Sequence, residues 1–135
     1  MYKSIFDNLV ISSYESIPYL IRQNKLAGYP LRIIFVGSTS PEINLLYGKD
    51  SDSFYDIQPE FNKEMMDRIA DEIETYQRAG RIVVVHCVAG RDRSAIAIVW
   101  FLHKKMKMSI EEAYSFLESK WRLTRRNLHW FGGRS

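Results

Sequence analysis

One stretch of the chain gathers residue types that can do chemistry together: His86-Cys87-Val88-Ala89-Gly90-Arg91-Asp92-Arg93-Ser94. Five residues separate Cys87 from Arg93, and one of them is a glycine. A cysteine thiolate is a strong nucleophile. A guanidinium presents a planar fork that fits two oxygens of a phosphoryl group. A loop curling between them can turn successive backbone N–H groups inward as an anion nest, with Gly90 supplying backbone freedom. The expected phosphate cradle is Val88, Ala89, Gly90, Arg91, Asp92 and Arg93, with Cys87 at its rim. Ser94 is placed to hydrogen-bond the sulfur and help it leave in a second step, and His86 to orient the loop from behind. Each residue alone has a blander role: a core histidine, an ion-paired arginine, a helix-capping serine, a cysteine packed as a small hydrophobe. The joint pattern argues for phosphoryl chemistry.

The flanking sequence supplies the elements that must hold such a loop. Arg81 to Val85 ends in a continuous apolar run, as in a strand covered on both faces. Ala95 to Leu102 is apolar on every side, so the helix after the loop is central and buried. That helix points its positive N-terminal end at the loop, which favours an anion there and the thiolate form of Cys87.

Upstream, Asn8 to Ser12 and Leu31 to Val36 read as strands, with a weakly helical stretch from Tyr14 to Leu26 between them. Pro41 to Ile57 reads mostly as loop, with a short strand at Ile43 to Tyr47. Pro59 suits a first helical turn; Phe61, Met65, Ile69, Ile73 and Tyr76 then recur at helical spacing until Gly80. A last helix starts at Ser109, with Ser109 and Glu112 spaced as a capping box. Strands alternating with helices imply an α/β fold, a central mainly parallel sheet flanked by helices.

The 135 residues suit one domain, 1–135. A composition 46% hydrophobic and 26% charged is that of a folded globular chain. No apolar run approaches the roughly 20 residues of a membrane span, and the N-terminus has no apolar signal core. The lone cysteine cannot form an internal disulfide, which points to a reducing, cytoplasmic setting. A net charge of +3 is compatible with anionic substrates but too small to argue for nucleic acid. The basic cluster Trp121 to Arg126 reads as a solvated helix end, with a docking surface for a phosphorylated partner as the alternative. No His, Asp and Cys cluster has metal-ligand spacing, so neither metal nor cofactor is expected.

The segment from His86 to Ser94 resembles the His-Cys-x5-Arg-Ser/Thr signature of the protein tyrosine phosphatase superfamily. With the chain's size and the Ala/Ile-rich helix after Ser94, it is most similar to the dual-specificity phosphatases. Phe6 to Ser12 resembles their opening strand, Asp56 to Phe61 the start of the helix before their catalytic strand, and Glu112 to Arg122 with Asn127 to Phe131 their closing helices. Gly37 to Tyr55 matches least well. The resemblance implies a protein tyrosine phosphatase-like fold and a cysteinyl-phosphate intermediate formed without metal. The substrate would be a phosphorylated protein or peptide bearing phosphotyrosine, phosphoserine or phosphothreonine.

The resemblance also implies an aspartate upstream of the cysteine as general acid and later general base. Asp50 and Asp52 are the candidates, Asp50 narrowly ahead because it lies where the Ile43 to Tyr47 strand runs out. Asp56 directly precedes the helix start and reads as its cap. Asp92, in a position where the dual-specificity members usually carry a small or neutral residue, resembles loops of myotubularin-type phosphoinositide phosphatases. It is a further candidate acid, or a holder of Arg91. Phosphoinositide or RNA 5′-phosphate substrates, and a phosphate-binding module without a working acid, are the rival readings.

Overall fold

The computed structural model describes residues 1–6, 8–28, 30–37, 40–57, 60–89 and 91–132. Its strands are β1 (Tyr2–Phe6), β2 (Leu9–Ser12), β3 (Leu31–Gly37), β4 (Ser53–Asp56) and β5 (Ile82–His86). They form one sheet in the order β1-β2-β5-β3-β4. β1 is antiparallel to β2, and the other pairings are parallel. The helices are α1 (Ile17–Ala27), α2 (Pro41–Tyr47), α3 (Lys63–Arg78), α4 (Arg93–Met106) and α5 (Ile110–Lys120). This is the α/β architecture that the alternation of patterns implied.

Strand alternation divides the core between the two sheet faces. Val83 and Val85 of β5 join Leu9, Ile11, Ile34 and Val36 in a large core built with α3, α4 and α5. Val84 faces the other way, into a smaller cluster with Val10, Ile33 and residues Ile17 and Leu20 of the α1 segment. β5 is thus covered on both sides, which is why its sequence is apolar without a break. Every residue of α4 from Ser94 to Leu102 is buried. Truncating Ile98 to Ala in such surroundings costs about 2–5 kcal/mol.

Two expectations upstream of the loop are corrected. Ile43 to Tyr47 is not a strand but most of α2: Ser40 caps it by accepting from the Ile43 amide, Pro41 opens it and Glu42 stands in its first turn. Those three start signals outweigh the strand leaning of Ile43. The strand of this region lies later, at Ser53–Asp56, within what read as loop; Phe54 and Tyr55 are its strand formers.

The helix read from Pro59 begins at Lys63, capped by Asn62 Oδ1, which accepts from Met65 N at 3.1 Å. Pro59 lies outside the described residues, and Asp56, expected to cap this helix, instead ends β4. Gly80 closes the run with φ 79°, a left-handed conformation that a side chain would resist. The capping box of α5 is present: Glu112 N donates to Ser109 Oγ at 3.1 Å, and Ser109 N to Glu112 Oε1 at 2.9 Å. α4 is followed by Lys107, a non-glycine cap residue with φ 63°.

Near the C-terminus, a 3-10 turn at Leu128–Phe131 is pinned by rings. Phe61 lies 5.0 Å from Trp100 and 5.1 Å from Trp130, centroid to centroid, and Trp130 lies 5.2 Å from Phe131. This anchors Arg125 and Asn127, just upstream, beside the loop between β5 and α4. None of the described helices is long and apolar enough to cross a membrane.

Candidate active site

β5 runs parallel to β3 with Phe35 opposite His86, so the next residues, Val36 and Cys87, emerge side by side at the carboxyl end of the sheet. Open α/β sheets bind ligands at this end. Val36, Gly37, Cys87, Val88, Ala89, Arg91, Asp92 and Arg93 line a cavity of about 120 Å³. Six of the eight are residues of the sequence motif. Gly90, the remaining member of the expected cradle, lies outside the described residues. Arg91 is exposed at the rim and Arg93 is half-buried at the first turn of α4.

Cys87 forms no disulfide and is 6% exposed. Its Sγ lies 3.2 Å from Ser94 Oγ, a fully buried hydroxyl. His86 sits beneath the loop, 1% exposed. Its Nδ1 donates to the Cys87 carbonyl at 3.3 Å, which puts the proton on Nδ1. The ring is walled by Phe35, 5.0 Å away, and Tyr14, 6.5 Å away. Burial pushes the His86 pKa down to about 4, against the opposing effects of the carbonyl bond and the Asp50 charge. His86 is therefore a neutral prop at physiological pH. Tyr14 N also donates to the Val88 carbonyl at 3.2 Å, tying the loop to the segment before α1.

Both oxygens of Asp92 are engaged from the far end of the chain. Asn127 Nδ2 donates to Oδ1 at 3.1 Å, and Arg125 Nη1 lies 3.4 Å from Oδ2. The Arg125 amide donates to the Arg91 carbonyl at 3.1 Å. Asp92 thus fastens the loop to the C-terminal segment, and its partners are Arg125 and Asn127 rather than the Arg91 side chain. Arg125, read from sequence as part of a solvated helix end, is one half of this clamp, while Arg126 pairs with Glu118 at 2.7 Å.

The structure does not bring Asp50 or Asp52 to the cavity. Asp52 Oδ2 accepts from Ile33 N at 2.7 Å, and Asp52 N donates to the Ile33 carbonyl at 2.8 Å. Asp52 therefore closes the amino end of β4, four residues and about 13 Å of strand before its carboxyl end. Asp50 lines a groove with Ile21, Asn24, Lys25 and Leu31, towards the same amino end.

Asp56 stands where the sequence reading put neither of those two. It pairs with Gly37 across β3 and β4, and Gly37 lines the Cys87 cavity. Two strand spacings, roughly 10 Å, separate the backbones of Asp56 and Cys87, and Asp56 itself is not among the described residues that line the cavity. The signal that could have found Asp56 was Asn62, a better-spaced cap for the following helix.

Comparison with known proteins bears on the family and the fold. Residues 41–132 match the family described as dual specificity phosphatase, catalytic domain. The chain is 37% identical over 81 residues to dual specificity protein phosphatase 16 of Homo sapiens, covering 59% of this chain but spanning only 11% of that protein. The human tyrosine phosphatase-like serine/threonine/tyrosine-interacting protein superposes with a TM-score of 0.73 at 16% identity, over 96% of this chain and 89% of that one. PTPMT1, solved in complex with PI(5)P, does so with a TM-score of 0.73 at 15% identity, over 96% and 88%. With a cysteine and an arginine at the two ends of the cradle and a family match over most of its length, the chain belongs to the dual specificity phosphatase catalytic-domain family.

Proposed function

We propose that the chain hydrolyses phosphate monoesters on proteins, acting on phosphotyrosine and on phosphoserine or phosphothreonine through a cysteinyl-phosphate intermediate. The observation that carries this reading is the cavity in which Cys87, Arg91 and Arg93 share a lining, with Ser94 at 3.2 Å from the sulfur. No aromatic side chain is among the described residues of that lining, so it grips a phosphoryl group and leaves the alcohol portion outside. That supports acceptance of alkyl as well as aryl esters.

In the first step the Cys87 thiolate attacks phosphorus as the bond to the leaving oxygen breaks, and Asp56 gives that oxygen its proton. Arg93 and the loop N–H groups hold the equatorial oxygens, which carry the charge of the transition state. In the second step water attacks phosphorus, Asp56 takes a water proton, and the phosphorus–sulfur bond breaks. Ser94 hydrogen-bonds the departing thiolate. Inorganic phosphate leaves and the thiolate is restored. Asp56 takes this role in place of Asp50 and Asp52 because it ends its strand beside Gly37.

Cys87→Ser should abolish turnover of an aryl phosphate while inorganic phosphate still binds; retained turnover refutes the assignment. A second reading, phosphoinositide hydrolysis, is favoured by Arg91, a cation exposed at the rim of the cavity. A panel of phosphopeptides, phosphoinositides and RNA 5′-phosphates separates the readings by relative kcat/KM. Phosphate binding without turnover of any of them would mark a binding module.

A further inference from the structure

β4 is an outer strand of the sheet, four residues long, with a strand partner on one side only among the described residues. A short edge strand is weakly fixed by its backbone alone. What holds this one is a carboxylate reaching over from α3. Tyr55 Oη donates to Glu72 Oε1 at 2.6 Å, and Ser53 Oγ donates to Glu72 Oε2 at 2.5 Å. Arg32 of β3 closes the set, with Nε 3.0 Å from Glu72 Oε2 and Nη2 donating to Ser53 Oγ at 2.6 Å. The Glu72 side chain is 12% exposed and that of Arg32 21%. The Arg32 guanidinium also lies 4.2 Å from the Tyr76 ring centroid. Burial, then the Glu72 bond, push the Tyr55 pKa up and keep its hydroxyl a donor.

We propose that Glu72 is a positioning residue for proton transfer by Asp56, acting through Tyr55 and Ser53 of β4. This rests on the reading of Asp56 given above. Ser53 and Tyr55 share one face of β4 by strand alternation, so one carboxylate fixes both the height and the twist of the strand against α3. Asp56 is bonded directly to Tyr55, and its Cα lies one trans-peptide step, about 3.8 Å, further on. A proton donor must stand within hydrogen-bond reach of the leaving oxygen, and a displacement of about 1 Å can cost about a hundredfold in rate. The cradle of Cys87 and Arg93 belongs to β5 and α4, whereas the Glu72 bonds described above go to β3 and β4.

The test exploits the leaving group. A poor leaving group such as phenolate needs the proton, whereas a fluorinated umbelliferone needs it little. Tyr55→Phe and Glu72→Gln should lower kcat/KM on phenyl phosphate about tenfold, and on the fluorinated aryl phosphate less than about threefold. Inhibition by inorganic phosphate should not change. Asp56→Asn, measured alongside, should show the same bias more strongly. Equal losses on both substrates in the Tyr55 and Glu72 variants, with the bias intact in Asp56→Asn, overturn the proposal alone. Absence of the bias in Asp56→Asn overturns the reading of Asp56 and the proposal with it. Should Glu72→Gln fail to fold, Tyr55→Phe carries the same comparison, because it leaves the Glu72–Arg32 pair in place.

Discussion

Cys87 Sγ and Ser94 Oγ stand 3.2 Å apart across the start of α4, both shielded from solvent. In the proposed mechanism a hydroxyl so placed serves the sulfur most when the sulfur is leaving with negative charge. Removing it with Ser94→Ala should slow breakdown of the phosphoenzyme more than its formation. A hydrogen bond to a charged group is worth about 1.5–3 kcal/mol, or roughly ten- to hundredfold in rate. Stopped-flow assay of an aryl phosphate should show a burst of phenol followed by slow turnover. A uniform slowing without a burst would place Ser94 in the first step.

The clamp on Asp92 separates it from Asp56. Both carboxylate oxygens of Asp92 are already engaged by Asn127 and Arg125. Asp92→Asn should keep the fall of kcat/KM at rising pH that a general acid imposes, and Asp56→Asn should lose it. The pH–rate profiles of the two variants decide; loss of the high-pH fall in Asp92→Asn would transfer the acid role to Asp92.

His86 sets a pH dependence of stability. Its folded pKa is about 4, below its usual 6.5. Between those values the unfolded chain binds a proton that the folded one refuses, so stability falls as pH drops from 6.5 towards 4. The full loss is about 3 kcal/mol. Urea unfolding at pH 7 and pH 5 should show a drop that is smaller in His86→Gln, after allowance for the variant's own baseline. Equal drops in the two proteins would contradict the assignment.

Lys107 caps α4 in the left-handed region, with φ 63°. A side chain costs energy there that glycine does not. Lys107→Gly should therefore stabilise the fold, by about 0.5–1 kcal/mol, and raise the melting temperature by about 2–4 °C. Calorimetry checks this, and a lower melting temperature would count against it.

The parts of the fold legible in the sequence were those with a local physical signature. β5 and α4 announced themselves through unbroken apolar runs, and α5 through its Ser109–Glu112 box. The cradle was legible because Cys87 and Arg93 lie on one short loop. What escaped depended on distant partners. β4 is held by Glu72 and Arg32, which lie 40 residues apart in the sequence, and nothing within Ser53–Asp56 signals that. Asp56 was masked by its nearness to a helix whose actual cap is Asn62. The clamp of Asp92 by Arg125 and Asn127 spans more than thirty residues. β1 pairs with β2 through a backbone that turns at Asn8, with φ 64°, and Lys3 and Ser4 gave it little apolar pattern.

The two faces of the sheet carry unequal cover. Three helices pack on one side, while on the other Ile17 and Leu20 of α1 pack against Val10, Ile33 and Val84. Amide hydrogens of α1 should thus exchange with deuterium well before those of α4, and the molecule should breathe on its thin side. β5 is paired with β2 on one edge and β3 on the other, so Cys87 should keep its bearing while the outer layer loosens.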